Sequence, residues 1–267
     1  MTATASDLVI VYSGGTTNSN PNLSLGGEPS SQIIIGTMNN LFSNIESEEA
    51  ETGKEDYRCF YIFNNNQYES FFNLKLKIKE EVSGGSNVYI GIKKNHETQR
   101  MTISSIPTSG RIGFSYEDSD IQYANWHSNI INFVNNVKNA LEEIFESVNI
   151  TVINYTSTIV LNIELDGDDD YRFHDLIETT NELNPTVTIS MSRQVPGAPI
   201  NYIHDTLESE TTPPYDVVFS SSISTIEIGT IKPGEGLPVW IKRVTEEGTS
   251  PKLGDGFTLN ISFNSIE

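Results

Sequence analysis

Residues 57–66 read Tyr-Arg-Cys-Phe-Tyr-Ile-Phe-Asn-Asn-Asn. In an extended strand Tyr57, Cys59, Tyr61 and Phe63 point one way and Phe60 and Ile62 the other, with Arg58 the only charge. A strand with one wet face alternates apolar and polar residues, so a run apolar on both sides belongs at the centre of a sheet covered twice. Two covers fit the second face: another subunit, or a long loop of the same chain lying over Phe60 and Ile62.

Strand patterns surround this run at both ends of the chain. Residues 8–12 (LVIVY) form a short apolar strand, and residues 72–79 alternate Phe72, Leu74, Leu76 and Ile78 inward with Asn73, Lys75, Lys77 and Lys79 outward. Outward lysines discourage edge-to-edge pairing. Residues 87–92 make the next strand. The style returns from Asp216, through 224–231, the turn Lys-Pro-Gly-Glu-Gly and 237–244, and it ends in 257–263, where Phe257, Leu259, Ile261 and Phe263 alternate with polar residues. Neither terminal segment alone has enough strands for a sandwich. The expectation is one mainly β body, a discontinuous β-sandwich of Ig-like or jelly-roll-like type, built from residues 1–98 plus 203–267.

Residues 99–202 have a different character and read as an inserted small α+β module. Short strands lead into 127–145, the one long helical pattern, with Ser128 as expected N-cap and Ile130, Val134, Val137, Leu141 and Ile144 or Phe145 as the buried stripe. Strands are expected at 149–153, 158–165 and 186–191, with a short helical turn near 171–177, so the helix packs on one face of a sheet. Pro196, Gly197 and Pro199 mark a break at the module's end.

Composition excludes several functions. With 36 acidic against 16 basic side chains the formal charge is -20, the opposite of the basic footprint a phosphate backbone requires, so nucleic acid is not an expected partner. Cys59 is the single cysteine, sits in the apolar run and has no internal disulfide partner. No run is long enough to cross a bilayer and the first residues have no leader pattern, so no membrane role is expected. The glycosylation-like triplets at Asn149, Asn154 and Asn260 are read as chance matches.

Several separated strings resemble virion structural proteins of tailed bacteriophages. They are S-G-G-T-T-N-S-N-P-N-L-S-L-G-G-E-P-S-S (13–31), N-N-L-F-S-N-I-E-S-E-E-A-E-T-G-K-E-D-Y-R-C-F-Y-I-F-N-N (39–65), L-P-V-W-I-K-R-V-T-E-E-G-T-S (237–250) and G-D-G-F-T-L-N-I (254–261). The stretch from G-R-I-G-F-S-Y (110–116) to V-T-I-S-M-S (187–192) is similar to a strand-helix-strand module that recurs as an insertion in phage particle proteins. It departs from that module where V-I-N-Y-T-S-T and D-G-D-D-D replace glycine-rich turns. The resemblance implies a particle component made in the bacterial host cytoplasm and incorporated in the virion, and it carries no catalytic residues.

The residues themselves supply no strong chemistry. Asp166, Asp168 and Asp170 have the odd-position spacing that begins a calcium loop, but Tyr171 replaces the turn glycine and Ile177 the bidentate glutamate, so an acidic turn is the favoured reading. His96, His127, His174 and His204 are scattered without a zinc-ligand spacing. No nucleophile-positioning turn occurs, and Asp118 and Asp120 beside Trp126 read as a solvated loop next to a core residue. The expectation is a non-enzymatic protein without cofactor, a homo-oligomer contacting other virion proteins with its sandwich and projecting the inserted module outward as head decoration, neck or collar component, or tail or baseplate adaptor. Phe60, Ile62 and Trp240 are its expected interface anchors. The competing expectation is a module of a tail fibre or baseplate that recognises a host-surface glycan, with residues 64–66, Tyr68 and the 13–31 loop as the polar surface.

Overall fold

The structure is a computed structural model of the chain and describes residues 4–36, 39–82, 85–166, 173–220, 224–250 and 255–264. In chain order the elements are β1 (Leu8–Tyr12), helix α1 (Ser47–Thr52), β2 (Lys54–Asn64), β3 (Phe71–Glu81) and β4 (Asn87–Ile92). Then follow β5 (Thr98–Ile103), β6 (Ser109–Ser115), β7 (Gln122–Asn125), helix α2 (Ile130–Glu142), β8 (Val148–Tyr155), β9 (Ile159–Leu165), β10 (Glu178–Asn184) and β11 (Ile189–Val195). The chain closes with β12 (Val218–Ser220), β13 (Ile226–Ile231), β14 (Gly236–Thr245) and β15 (Phe257–Asn264). Every strand pairing is antiparallel, and the protein is mainly β.

The chain divides into two compact units, residues 1–94 with 199–267, and residues 95–198. The sequence placed these crossings at 98/99 and 202/203. Asn95 and Ala198 exchange backbone hydrogen bonds of 3.2 and 3.0 Å in an isolated antiparallel bridge, so the first and last residues of the inserted unit are tied to each other. Gly197, Ala198 and Pro199 are buried, and the proline-glycine break is a packed corner.

The first unit has a five-stranded sheet, ordered β1-β2-β14-β4-β12, and a three-stranded sheet, β13-β3-β15. Each sheet therefore combines strands from both ends of the chain, with β2 hydrogen-bonded between β1 and β14. One shared core lies between the sheets: Phe60, Ile62, Ile90, Val239 and Ile241 from one, Phe71, Leu74, Leu76, Ile78 and Ile228 from the other. Each side chain of this kind, fully buried, contributes about 1.5–3 kcal/mol. In β3 the inward residue is Phe71 where the alternation predicted Phe72. Asn73 is left-handed, φ 50°, and shifts the phase so that Phe71 and Leu74 share a face.

The inserted unit also has two sheets, β10-β6-β7 and β11-β5-β9-β8, around a second core that includes Phe114, Phe133, Leu141, Leu161 and Ile163. The single sheet expected from sequence is thus two. Helix α2 packs against β7 and β8, an edge strand of each sheet. Its N-cap is Asn129, whose side chain accepts from the amides of Ile131 and Asn132, and not Ser128. Besides Val137 and Leu141 it buries Phe133 and Ala140. Residues 173–177 are not helical, and β10, with only Leu183 buried, has no periodic signal to announce it.

Candidate functional site

The outer face of the five-stranded sheet carries a second apolar cluster and the chain segments that cover it. Tyr57, Cys59, Tyr61, Val11 and Trp240 form that cluster, joined by Leu207, Val217 and Phe219. Two segments of the same chain cover it: the 13–31 loop and a strap of residues 202–217. They are stitched to β2 and to each other. Cys59 donates its amide to the Ser24 carbonyl (2.8 Å) and Ser13 Oγ donates to the Cys59 carbonyl (2.9 Å). Tyr57 donates its amide to the Glu210 carbonyl (2.7 Å), Leu207 to Leu25 (2.8 Å), and Gly27 to His204 (2.8 Å). Gly26 sits at the crossing with φ +97°, where a Cβ would lie 2.5 Å from the Asp205 carbonyl oxygen.

This arrangement corrects the expected interface. Phe60, Ile62 and Trp240 are 3%, 0% and 0% exposed within one chain, so none of them presents a surface to a partner. Phe60 and Ile62 fill the sandwich core, Trp240 lies under the strap and loop, and the strand apolar on both sides is covered by its own polypeptide on each. The loop covers the face of Tyr57, Cys59 and Tyr61, opposite to the one the sequence reading assigned to it.

A charged clasp fastens the strap. Arg58 is fully buried and pairs with Glu210, and Lys54 Nζ lies 2.6 Å from Glu210 Oε1, 2.6 Å from Glu49 and 2.9 Å from Asp56. Arg243 pairs with the other Asp56 oxygen and donates to the Ser43 carbonyl (2.8 Å), with the Phe42 ring against its guanidinium. Burial works to raise the Glu210 carboxyl, but hydrogen bonds from Lys54 and Arg58 outweigh it and hold the group at about 2. In the sequence Arg58 stands out only as the single charge in an apolar run. A charge in a doubly covered strand demands a counter-charge, but the partner stands 152 residues away.

At the strap's start His204 is buried edge-on to Trp240 (5.5 Å) and Tyr202 (4.8 Å), and Lys93 Nζ lies 3.3 Å from the Tyr202 hydroxyl. Burial, helped by the Lys93 charge, pushes the imidazole down to about 4, so it is neutral at physiological pH. Among the described residues, His204 Nε2 and Trp240 Nε1 have no hydrogen-bond partner. Burial pushes the Cys59 thiol far above its usual range, which removes it as a nucleophile.

Of the acidic turn, Asp166 is described and Asp168 and Asp170 lie outside the described residues. Asp166 accepts from Asn149 Nδ2 (2.5 Å) and stands 3.3 Å from His96 Nε2. Among the described residues no three His, Cys, Asp or Glu side chains converge on a metal position, and no helix is long and apolar enough to cross a membrane.

No family model matches the chain, and no curated protein matches it. Among solved structures, it is similar to the D2-D3 domains of the flagellar cap protein from Escherichia coli at 11% identity and a TM-score of 0.25, covering 80% of this chain and 100% of that one. The same cap protein's D1-D2-D3 structure matches at 10% identity and a TM-score of 0.23, covering 77% of this chain and 58% of that one. Likeness at this level carries no argument about fold or function.

Proposed function

We propose that the protein is a non-enzymatic structural component of a tailed bacteriophage particle, with the sandwich as its assembly base and the inserted unit presented outward. The observation that carries this reading is the division of labour in one chain: both ends close a single sandwich while residues 95–198 form a unit with its own core. Such a plan suits a base held by neighbours and a second body free to make other contacts. The string resemblance to phage virion proteins supports it, as does the inert setting of the buried Cys59 and His204. Repeated symmetric copies make individually weak contacts collectively stable. Since the expected anchors are internal, the contacts fall to exposed apolar side chains, of which Tyr215 and Val218, beside and on edge strand β12, are 82% and 75% exposed. The test is mass spectrometry and image reconstruction of gradient-purified particles from a lysate containing the chain. Symmetric density for it at a fixed particle position is the expected result; particles that lack the chain refute the proposal.

A further inference from the structure

We infer that the inserted unit carries a binding site for a neutral saccharide in the cleft between β7 and α2. The cleft has a volume of about 280 Å³, just below the range of about 300 to 1,000 Å³ of drug-sized ligand pockets, with room for a single sugar ring. Edge strand β7 contributes Gln122, Tyr123 and Asn125, and successive turns of α2 and its C-terminal end contribute Asn136, Asn139 and Glu143. Positions 136, 139 and 143 are spaced i, i+3, i+7 and so share one helix face.

The lining defines the ligand by exclusion and by match. Four primary amides and one carboxylate line the cleft, with neither lysine nor arginine among the lining residues, and the chain carries a net charge of -20. A phosphorylated or carboxylated ligand would meet Glu143, and the neighbouring Arg111 is already paired with Glu182 (2.6 Å). Ala140 is the one aliphatic lining residue, too little to hold a lipid or an apolar ligand. One carboxylate supplies little charge for a calcium or magnesium ion, and among the described residues no three acidic or histidine side chains converge there. An amide offers two donors and an acceptor on one rigid plane, which matches the donor-acceptor pairs of adjacent sugar hydroxyls.

These groups are available. Asn136 Nδ2 is used, donating to the Asn125 carbonyl at 2.9 Å, which fixes the side chain and leaves its Oδ1 as an acceptor. Among the described residues, the side chains of Gln122, Asn125, Asn139 and Glu143 have no hydrogen-bond partner. Tyr123 forms the rim, 38% exposed, with the Arg111 guanidinium 3.8 Å from its ring centroid and thereby held in place. The edge strand and the capped helix fix the backbone positions of the array, Asn136 is anchored by its hydrogen bond, and the exposed side chains of Asn125, Asn139 and Glu143 order on binding. The site is distinct from residues 64–66 and Tyr68 on the first unit.

The experiment is NMR on the full chain, with saturation transfer to the ligand and nitrogen-edited spectra of the side-chain amides, using methyl glycosides of glucose, galactose, rhamnose and N-acetylglucosamine, with glucose 6-phosphate as the charged probe. At least one glycoside is expected to bind and to shift the side-chain amide signals of Gln122, Asn125, Asn136 and Asn139. Asn139→Ala/Glu143→Ala removes two exposed hydrogen-bonding groups and is expected to weaken that binding about tenfold or more, with the circular dichroism spectrum unchanged. Tyr68→Ala is expected to leave it unchanged. Silence across the glycosides, tighter binding of glucose 6-phosphate, or binding that survives the double variant overturns the inference. None of these outcomes bears on presence in the particle, which is tested separately.

Discussion

Truncating Glu210 to alanine isolates the clasp that holds the strap on the sheet. Arg58 loses its counter-charge while remaining fully buried, with the Tyr57 carbonyl (3.0 Å) and Asn22 Oδ1 (3.2 Å) as its remaining acceptors. Lys54 keeps Glu49 and Asp56, so the damage concentrates on Arg58. Breaking a buried pair from one side costs about 3–5 kcal/mol. The Glu210 side chain is 31% exposed, and water reaching the pair through it reduces the expected loss to about 2–3 kcal/mol. Arg58→Met fills the same space and strands no buried charge, so it is expected to cost less, and the double variant to be more stable than Glu210→Ala alone. Each unit holds one tryptophan, Trp126 in the second and Trp240 in the first. Urea unfolding followed by Trp240 fluorescence in a Trp126→Phe background therefore reads the sandwich alone, and the Glu210→Ala midpoint is expected to fall by about 1–1.5 M at a slope of about 2 kcal/mol/M. A loss under about 0.5 kcal/mol, or an Arg58→Met variant less stable than Glu210→Ala, refutes the assignment of Arg58 as a buried charge dependent on Glu210.

Two acid windows are expected in the same unit. His204 is held down to about 4 from an ordinary 6.5, so the unfolded chain takes up its proton first and stability is lost as pH falls from about 6.5 to 4; His204→Phe is expected to flatten that limb in urea melts across pH. Glu210, held at about 2 from 4.5, contributes stability that is complete above 4.5 and lost as pH falls towards 2, a limb missing from Glu210→Ala. In the inserted unit Glu97 is fully buried and accepts from the His174 amide (3.0 Å), the Gly197 amide (3.2 Å) and Gln99 Nε2 (2.7 Å), with Arg193 at 3.2 Å. Glu97→Ala orphans the His174 and Gly197 amides, while Gln99 Nε2 keeps the Asp175 carbonyl (2.8 Å) and Arg193 the His174 carbonyl, and a loss of about 2–4 kcal/mol is expected in melts read by Trp126; a near-neutral effect contradicts the network. Gly26→Ala is expected to loosen the loop-strap crossing, read as faster amide exchange at Leu207 and Gly27, because its Cβ has no room against the Asp205 carbonyl. Cys59 is expected to resist an aromatic disulfide reagent until urea unfolds the sandwich.

Periodicity alone made much of the fold legible. The doubly apolar run 57–63, the alternation in β15 and the stripe of α2 each report a local period that the structure retains. Three features carried no such signal. Strand β10 is nearly all polar, and its identity comes from full pairing with β6 rather than from an apolar face. The phase of β3 turns on one left-handed residue, Asn73. The β7-α2 cleft joins residues whose amides read, one at a time, as solvent-facing.

What the linear order of residues determined by itself was the class of each segment, because side-chain period follows directly from backbone geometry. It also determined that the central strand has two dry sides. Which polypeptide dries each side was decided only in three dimensions: the second sheet over Phe60 and Ile62, and the chain's own loop and strap over Tyr57, Cys59 and Tyr61. A periodic pattern states that a face leaves water and contains no term for what meets it. The choice rests on pairings such as Arg58 with Glu210 and Gly27 with His204, whose members are brought together only when the chain closes on itself.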